Sequence, residues 1–530
     1  MPTNAFNGFS AIRPQLAFLA AELRRVSVVI VLFSLLAVCL LIRYLKSPWR
    51  SLPPGPSGYP IIGNAVEVLD KKRFFAKCRS YGQPAVILNS QRSAADLLDR
   101  RAVHFSGRPR LISAHELLGG RMIFSTEGHN ARWRRVRRAV QEAFRPSAAE
   151  RYHALEAKEA ARLAGALTAD TPAALQGNHS RHFVHYVAST VLAITYDRAV
   201  RSAEDEAIVV EVEHIAKVFA GATMTGAYLV DLFPWMLFIP GRHVKIMFAK
   251  WKRDAVAWHA HTSHFLGDLI GEVKGRMMKE ANEEARPCLV RTLVEEGERF
   301  GLSDAEKSWA AGTMYIAGTE TQAITLEWFT LAMIGHPGVQ QRAQAELDAV
   351  IGRARPPRVG DRDRLPYLAA LLREVLRWRP AVPRGLPHLS EQDDWYKGYF
   401  IPKGTVCIVN MLACHSDSEI YGEFPDRFDP GRYLDENGQL KPPPADTKDE
   451  GHIAYGFGRR ICAGRHVAND TLFMAMATVL WACDVQAGGA FDLDGYIDNG
   501  STISPKPFIS KFKPRFAEAM TILKEEIESC

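Results

Sequence analysis

No two cysteines of this chain stand at C-x-x-C spacing, and the eight present, Cys39, Cys78, Cys288, Cys407, Cys414, Cys462, Cys483 and Cys530, are scattered along its length. That distribution argues against a disulfide framework or a zinc site and for a reducing compartment. Glycine-rich nucleotide-binding loops, zinc-finger spacings and internal repeats are also missing. Dinucleotide-binding, nucleic-acid-binding and solenoid readings lose their support with them. Long hydrophobic runs are scarce: the chain reads VSVVIVLFSLLAVCLLI from Val26 to Ile42 without a charge. This falls just short of the roughly 20 apolar residues that cross a bilayer.

What is present is an ordinary globular composition. Of 530 residues 47% are hydrophobic and 24% charged, which disfavours disorder and fibrous classes. The net charge of +7 admits an anionic membrane surface or an acidic protein partner. Basic residues gather beside the apolar run, at Arg43, Lys46 and Arg50, and again in Arg132-Trp133-Arg134-Arg135-Val136-Arg137-Arg138. No small-residue cleavage pattern follows the run, so it reads as an uncleaved signal anchor over 26–42, after an N-terminal tail over 1–25. A basic and proline-rich hinge over 43–60 comes next, because Leu52-Pro53-Pro54-Gly55-Pro56 cannot be helical. Residues 61–530 then read as one mainly helical domain with small β-sheets.

One helix has legible ends. Ser303 and Glu306 form a capping box, and Gly335-His336-Pro337 supplies the stop. Its middle, Ala317-Gly318-Thr319-Glu320-Thr321, interrupts an apolar face with a glycine, an acid and hydroxyls. Either the glycine allows a neighbouring helix to pack closely, or it opens a groove where a ligand meets the backbone and a proton path begins.

The stretch Tyr455-Gly456-Phe457-Gly458-Arg459-Arg460-Ile461-Cys462-Ala463-Gly464 carries the most chemistry. Its three glycines permit positive-φ turns that would wrap backbone amides around the Cys462 sulfur, and its arginines favour a thiolate. A helix from Arg465 to Trp481 would begin beside that sulfur. A buried structural thiol is the plain alternative for a lone cysteine.

Other elements decide between these readings. Gly456, Gly458, Arg460, Cys462 and Gly464 match a haem-binding signature, Phe-Gly-x-Gly-x-Arg-x-Cys-x-Gly. Upstream, Glu374-Val375-Leu376-Arg377 resembles Glu-x-x-Arg, Pro430-Gly431-Arg432-Tyr433 resembles Pro-Glu-Arg-Phe, and Trp133 with Arg137 resembles Trp-x-x-x-Arg. In this order, from the proline-rich elbow to Ser504-Pro505-Lys506-Pro507-Phe508, the chain resembles the cytochrome P450 family. Tyr399-Phe400-Ile401-Pro402-Lys403-Gly404-Thr405 is most similar to its microsomal fungal members.

The resemblance implies a haem-thiolate monooxygenase with haem b (iron protoporphyrin IX) ligated by Cys462. Trp133, Arg137 and Arg460 would hold the haem propionates, as would His388 unless it is a surface histidine. Glu374, Arg377 and Arg432 would form a buried ion network behind the cysteine loop. Glu320 and Thr321 would deliver protons for oxygen activation. Electrons would come from NADPH through a flavin-bearing cytochrome P450 reductase, with cytochrome b5 as a further partner. Arg132, Arg134, Arg135 and Arg138 would form the docking face or simply a solvated one.

The expected setting is the endoplasmic reticulum membrane, with a cytosolic body, a lipophilic substrate and no nucleic acid. Phe233-Pro234-Trp235-Met236-Leu237-Phe238-Ile239-Pro240 is either a loop dipping into the bilayer or core. The rivals are a haem-thiolate isomerase or dehydratase, and a non-catalytic haem-binding protein. Three departures from the family pattern are visible. Tyr455 replaces phenylalanine and places a hydroxyl near the sulfur, Gly431 replaces glutamate, and Tyr81-Gly82-Gln83-Pro84-Ala85-Val86-Ile87-Leu88 leaves room for roughly one strand where two are expected.

Overall fold

The computed structural model describes residues 30–53, 78–80, 83–169, 179–223, 227–239, 250–279 and 286–528, except positions 32, 33, 40 and 44. The N-terminal tail, the start of the apolar run and the hinge beyond Pro53 lie outside them. Among the described residues no helix is long and apolar enough to cross a membrane. The described part of the apolar run is nevertheless helical, and Ile30, Val31, Leu35, Leu36, Val38, Leu41 and Ile42 are exposed.

Two compact units are present. The described residues up to Pro53 group with Asp393–Pro402, a two-stranded hairpin of β4 (Asp394–Tyr396) and β5 (Tyr399–Ile401) in which Trp395 lies opposite Phe400. The large unit holds the other elements. Its principal helices are α1 (Ala131–Phe144), α2 (His153–Ala169), α3 (His179–Tyr196), α4 (Ala203–Thr223), α5 (Lys250–Lys279), α6 (Asp304–Gly335), α7 (Pro337–Val350), α8 (Pro366–Trp378), α9 (Arg465–Ala482) and α10 (Ala519–Glu528).

The centre of this unit is α6. Ser303 Oγ accepts the Glu306 amide while the Glu306 carboxylate accepts the Ser303 amide, the reciprocal cap read from the sequence. At about 1.5 Å per residue its 32 residues span about 48 Å. It ends at His336, where Pro337 starts α7 without needing a donor. α6 packs along α3 and also meets α4, α5 and α9.

Two side chains from neighbouring elements replace local caps. Glu346 of α7 accepts the amides of Tyr367 and Leu368 at 2.8 and 2.9 Å, satisfying the first free donors of α8 behind Pro366. Gln340 pairs with the Val485 peptide through both amide atoms, at 3.0 and 2.7 Å, and ties α7 to β7 (Cys483–Ala487). β7 itself pairs antiparallel with β10 (Ser510–Pro514).

The mixed sheet runs β1 (Cys78–Ser80), β2 (Gln83–Leu88), β6 (Val406–Val409), β3 (His388–Leu389), with β2 and β6 parallel and the other pairs antiparallel. A strand therefore does precede Tyr81 and pairs with β2. It is only three residues long, which is why periodicity did not expose it. A last pair, β8 (Tyr496–Asp498) with β9 (Ile503–Pro505), lies against α6, where the Trp328 indole donates to the Ile503 carbonyl at 3.1 Å.

A buried ionic junction joins α8 to the segment from Met411 to Tyr433. Arg377 Nε and Nη2 donate to the two oxygens of Glu374 at 2.7 and 2.8 Å, and Arg432 Nε lies 3.1 Å from each. The Asp429 amide adds a further bond at 2.8 Å. Glu374 is completely buried. Glu374→Gln would remove the only formal negative charge between the two guanidiniums, and a broken buried pair costs about 3–5 kcal/mol. The variant is expected to unfold at markedly lower urea than Arg432→Lys, which keeps the charge balance.

Candidate active site

The cysteine loop is a set of tight turns leading into α9. Gly456 and Gly458 adopt φ of +79° and +54°, which only glycine enters without strain. At Gly458 a Cβ would also collide with the Leu98 carbonyl. Its amide donates to Asp99, which Lys448 also contacts at 3.0 Å. Gly464 differs from the expectation of three positive-φ glycines. It has an ordinary φ of −92° as the residue before α9, and a Cβ there would meet only the flexible end of Met314 at 3.3 Å.

Within this loop the Cys462 amide donates to the Tyr455 carbonyl at 2.9 Å. Cys462 is exposed to solvent although protein groups surround it closely. Burial raises its pKa, opposed by the Gly464 amide and by the charges of Arg137 and Arg465. The amide and the two guanidiniums act in the direction that the sequence reading expected. An iron cation bound to the sulfur would add to them in favouring the thiolate. The Tyr455 hydroxyl donates to Asn469 Oδ1 at 2.7 Å and so anchors the loop to α9.

Three guanidiniums gather beside this loop. Arg460 donates to the carbonyls of Ser106 and Glu127 at 2.8 and 2.7 Å and lies over the Trp133 ring, 4.1 Å from its centroid. Arg137 donates to the Ile461 carbonyl. Arg108, which the sequence reading missed, donates to the carbonyls of Ser125, Leu386 and Pro387. Nothing local marks Arg108, since it sits 29 positions before Arg137 in an irregular segment.

The cations raise one another's electrostatic cost. Burial and Arg137 lower the pKa of Arg460 to about 10, burial brings Arg137 to about 10, and Arg108 falls well below the usual range through burial, Arg460 and Arg137. Arg460 Nη1 and Arg137 Nε are buried without a partner. Buried donors of this kind call for an anion. His388 lies in the same group and is not a surface residue: it is buried, its Nδ1 is 2.7 Å from the Phe105 carbonyl, and burial with the Arg108 charge lowers its pKa to about 3.

On α6 the two open readings separate. A Cβ at Gly318 would meet Val191 of α3 at 3.1 Å, so this glycine serves close helix packing. Thr321 donates back to the Ala317 carbonyl at 2.9 Å, and Ala317 is exposed. Glu320 accepts from Thr502 at 2.9 Å, a tie to the segment before β9 that sequence spacing could not reveal. The helix is unbroken through all five residues.

A reachable cysteine, a cradle of unpaired cations and a polar step on a long helix fit a haem whose propionates meet Arg108, Arg137 and Arg460. Comparison with known proteins agrees. The cytochrome P450 family profile matches residues 53–512. A cytochrome P450 monooxygenase of Armillaria gallica is 43% identical over 506 residues, covering 92% of this chain and 94% of the relative. One from Postia placenta is 38% identical over 499 residues, covering 91% and 92%. A solved zebra fish cytochrome P450 with abiraterone shares the fold at a TM-score of 0.65 and 22% identity, covering 85% of this chain and 98% of its own. The chain belongs to the cytochrome P450 family, whose members are haem-thiolate monooxygenases.

Two outcomes follow from this geometry. Gly458→Ala would force an L-residue into positive φ against the Leu98 carbonyl, at a cost of at least about 1–2 kcal/mol. Its haem content per chain and urea midpoint are expected to fall, while Gly464→Ala keeps both near the unsubstituted values. The second concerns pH. Because His388 is neutral when folded down to about pH 3 but protonates near 6.5 when unfolded, the unfolded chain binds the extra proton between those values, and the stability His388 contributes rises with pH across that window. The stability difference between the unsubstituted protein and His388→Gln should therefore shift in favour of the former by about 1–2 kcal/mol from pH 5 to pH 7 in urea titrations. A pH-independent difference would show that His388 is already protonated at pH 5.

Proposed function

We propose that this chain hydroxylates or otherwise oxidises a lipophilic small molecule in fungal secondary metabolism or xenobiotic oxidation, with dioxygen and with NADPH electrons relayed by a flavoprotein reductase. The observation that carries this reading is the accessible Cys462 beside Arg108, Arg137 and Arg460, none of which forms a salt bridge among the described residues. Haem bound there supplies dioxygen activation.

The residues of the chain have separate tasks in this reading. Cys462 ligates the iron, while Gly456 and Gly458 hold the loop that presents it. Arg108, Arg137 and Arg460 hold the propionates, with Trp133 stacked under Arg460 to fix its plane. Neutral His388 keeps the Phe105 carbonyl satisfied. Thr321 Oγ1 donates to the Ala317 carbonyl and the Glu320 carboxylate accepts from Thr502, bonds that hold in place the two residues that would relay protons.

The setting is supported by exposed apolar groups. The anchor reading over 26–42 rests on its charge-free sequence and on the exposed side chains of its described part. The described part of the 233–240 segment, residues 233–239, is not core: Trp235 is 64% and Phe238 88% exposed, as expected of side chains immersed in the membrane near a substrate entrance. Reductase docking falls to Arg134 and Arg138 on the exposed side of α1, because Arg132 pairs with Glu127 and Arg135 with Glu306. Residence in the endoplasmic reticulum membrane with a cytosolic catalytic unit suits all three, and cytochrome b5 is a second acidic partner for the same face.

The test is the reduced carbon-monoxide difference spectrum of membranes from cells expressing the chain. A red-shifted, thiolate-type band is expected, lost in Cys462→Ser, together with NADPH-dependent oxidation of lipophilic compounds once a reductase is added. Turnover without NADPH would favour an isomerase or dehydratase instead.

A further inference from the structure

Away from the cysteine loop, α2 and α9 bring together His153, Glu156 and Asp470. One potential ligand atom from each lies within 4.8 Å of the other two. His153 and Glu156 are three positions apart on α2 and so share a face, the spacing by which bundle helices present paired metal ligands. Asp470 comes from the second turn of α9. The His153 Nε2 to Asp470 Oδ2 separation is 3.3 Å. Ligands about 2.0–2.2 Å from one tetrahedral zinc ion lie about 3.3–3.6 Å apart.

The second oxygens of both carboxylates are held by other groups. Arg362 donates to Asp470 Oδ1 at 2.8 Å, leaving Oδ2 toward His153. Thr471 donates to Glu156 Oε1 at 2.8 Å, and Glu156 Oε2 is buried with no partner although the residue is only 1% exposed. An unsatisfied carboxylate oxygen inside a helix junction is costly unless something occupies it. Outer groups that orient each ligand are a regular feature of metal sites. His153 is 29% exposed at its side chain, which gives an ion a way in and leaves room for water as a fourth ligand.

We propose that His153, Glu156 and Asp470 form a binding site for a divalent cation of the zinc class, separate from the haem iron, that fastens α2 to α9. The donor set of one imidazole and two carboxylates suits zinc, with Mn²⁺ and Co²⁺ as weaker or stronger competitors according to coordination number. Its place in the fold gives it a consequence. Asp470 follows Asn469, which receives the Tyr455 hydroxyl, so an ion here steadies the part of α9 to which the cysteine loop is anchored.

The experiment uses the haem-loaded protein, stripped of adventitious metal with a chelator and dialysed, then titrated with Zn²⁺ alone. Metal per haem is measured by elemental analysis and affinity by calorimetry. One zinc per chain is expected, bound at least tenfold more weakly by His153→Ala and by Glu156→Gln, with the temperature of Soret loss raised by Zn²⁺ in the unsubstituted protein only. His153 is partly exposed at the start of its helix, so its variant keeps the comparison open if Glu156→Gln fails to fold. No zinc uptake, or uptake unchanged in His153→Ala, overturns the proposal. The latter result would place the ion on the surface histidines and carboxylates of α4 and α5 instead.

Discussion

A buried carboxylate with two guanidiniums closed upon it organises everything behind the haem-binding loop. Glu374 draws Arg377, one turn along α8, and Arg432, 58 positions later in sequence, onto the same pair of oxygens. Each guanidinium then spends its remaining donors on backbone carbonyls. Arg377 reaches His415 and Arg427, and Arg432 reaches Tyr421, Phe424 and Arg427. A long irregular segment with little secondary structure of its own is pinned in this way to a helix. His415, held by its carbonyl, accepts the Ile453 amide at 3.1 Å, and two residues later the loop that carries Cys462 begins. The ionic contact is worth less as raw stability, since desolvation offsets much of its Coulomb gain, than as the fixed point from which that chain of bonds is measured.

The opposite electrostatic choice was made beside the cysteine loop. There Arg108, Arg137 and Arg460 converge with only Glu127 and Glu391 exerting a compensating field on Arg460, and Glu127 already serves Arg132 and Asn130. The ordinary response to a buried cation is a carboxylate neighbour, as Glu374 shows for the other pair of arginines. Leaving that neighbour out destabilises the empty fold and reserves the site for a ligand that brings its own anions. Folding and cofactor binding are thereby coupled, since whatever binds only the folded form adds to its stability.

How far the sequence revealed this depended on whether a feature was local. The capping box at Ser303 and Glu306, the stop before Pro337 and the helix after Gly464 were all visible because they depend on neighbouring residues. Glu374 and Arg377 were visible as a pair one turn apart. Arg108, the bond from Thr502 to Glu320 and the hydroxyl of Tyr455 on Asn469 were not, because each joins segments whose approach is decided by packing. The three-residue strand Cys78–Ser80 was missed for another reason: it is too short to show alternation. Local pattern also misled at Gly464, which shares the motif of its positive-φ neighbours but not their conformation.

Gly318 shows why the motif on the long helix has to be divided by residue. A glycine beside an acid and a threonine invites a single explanation, yet the three face different tasks: Val191 of α3 takes the space over Gly318, Thr502 takes Glu320, and Thr321 bonds back to its own helix. A helix that must pack tightly on α3 and still present polar groups on another side cannot do both with large residues. The glycine lets the backbone sit close to α3. Close packing accounts for Gly318 and leaves Glu320 and Thr321 to the polar groups they meet, Thr502 and the Ala317 carbonyl.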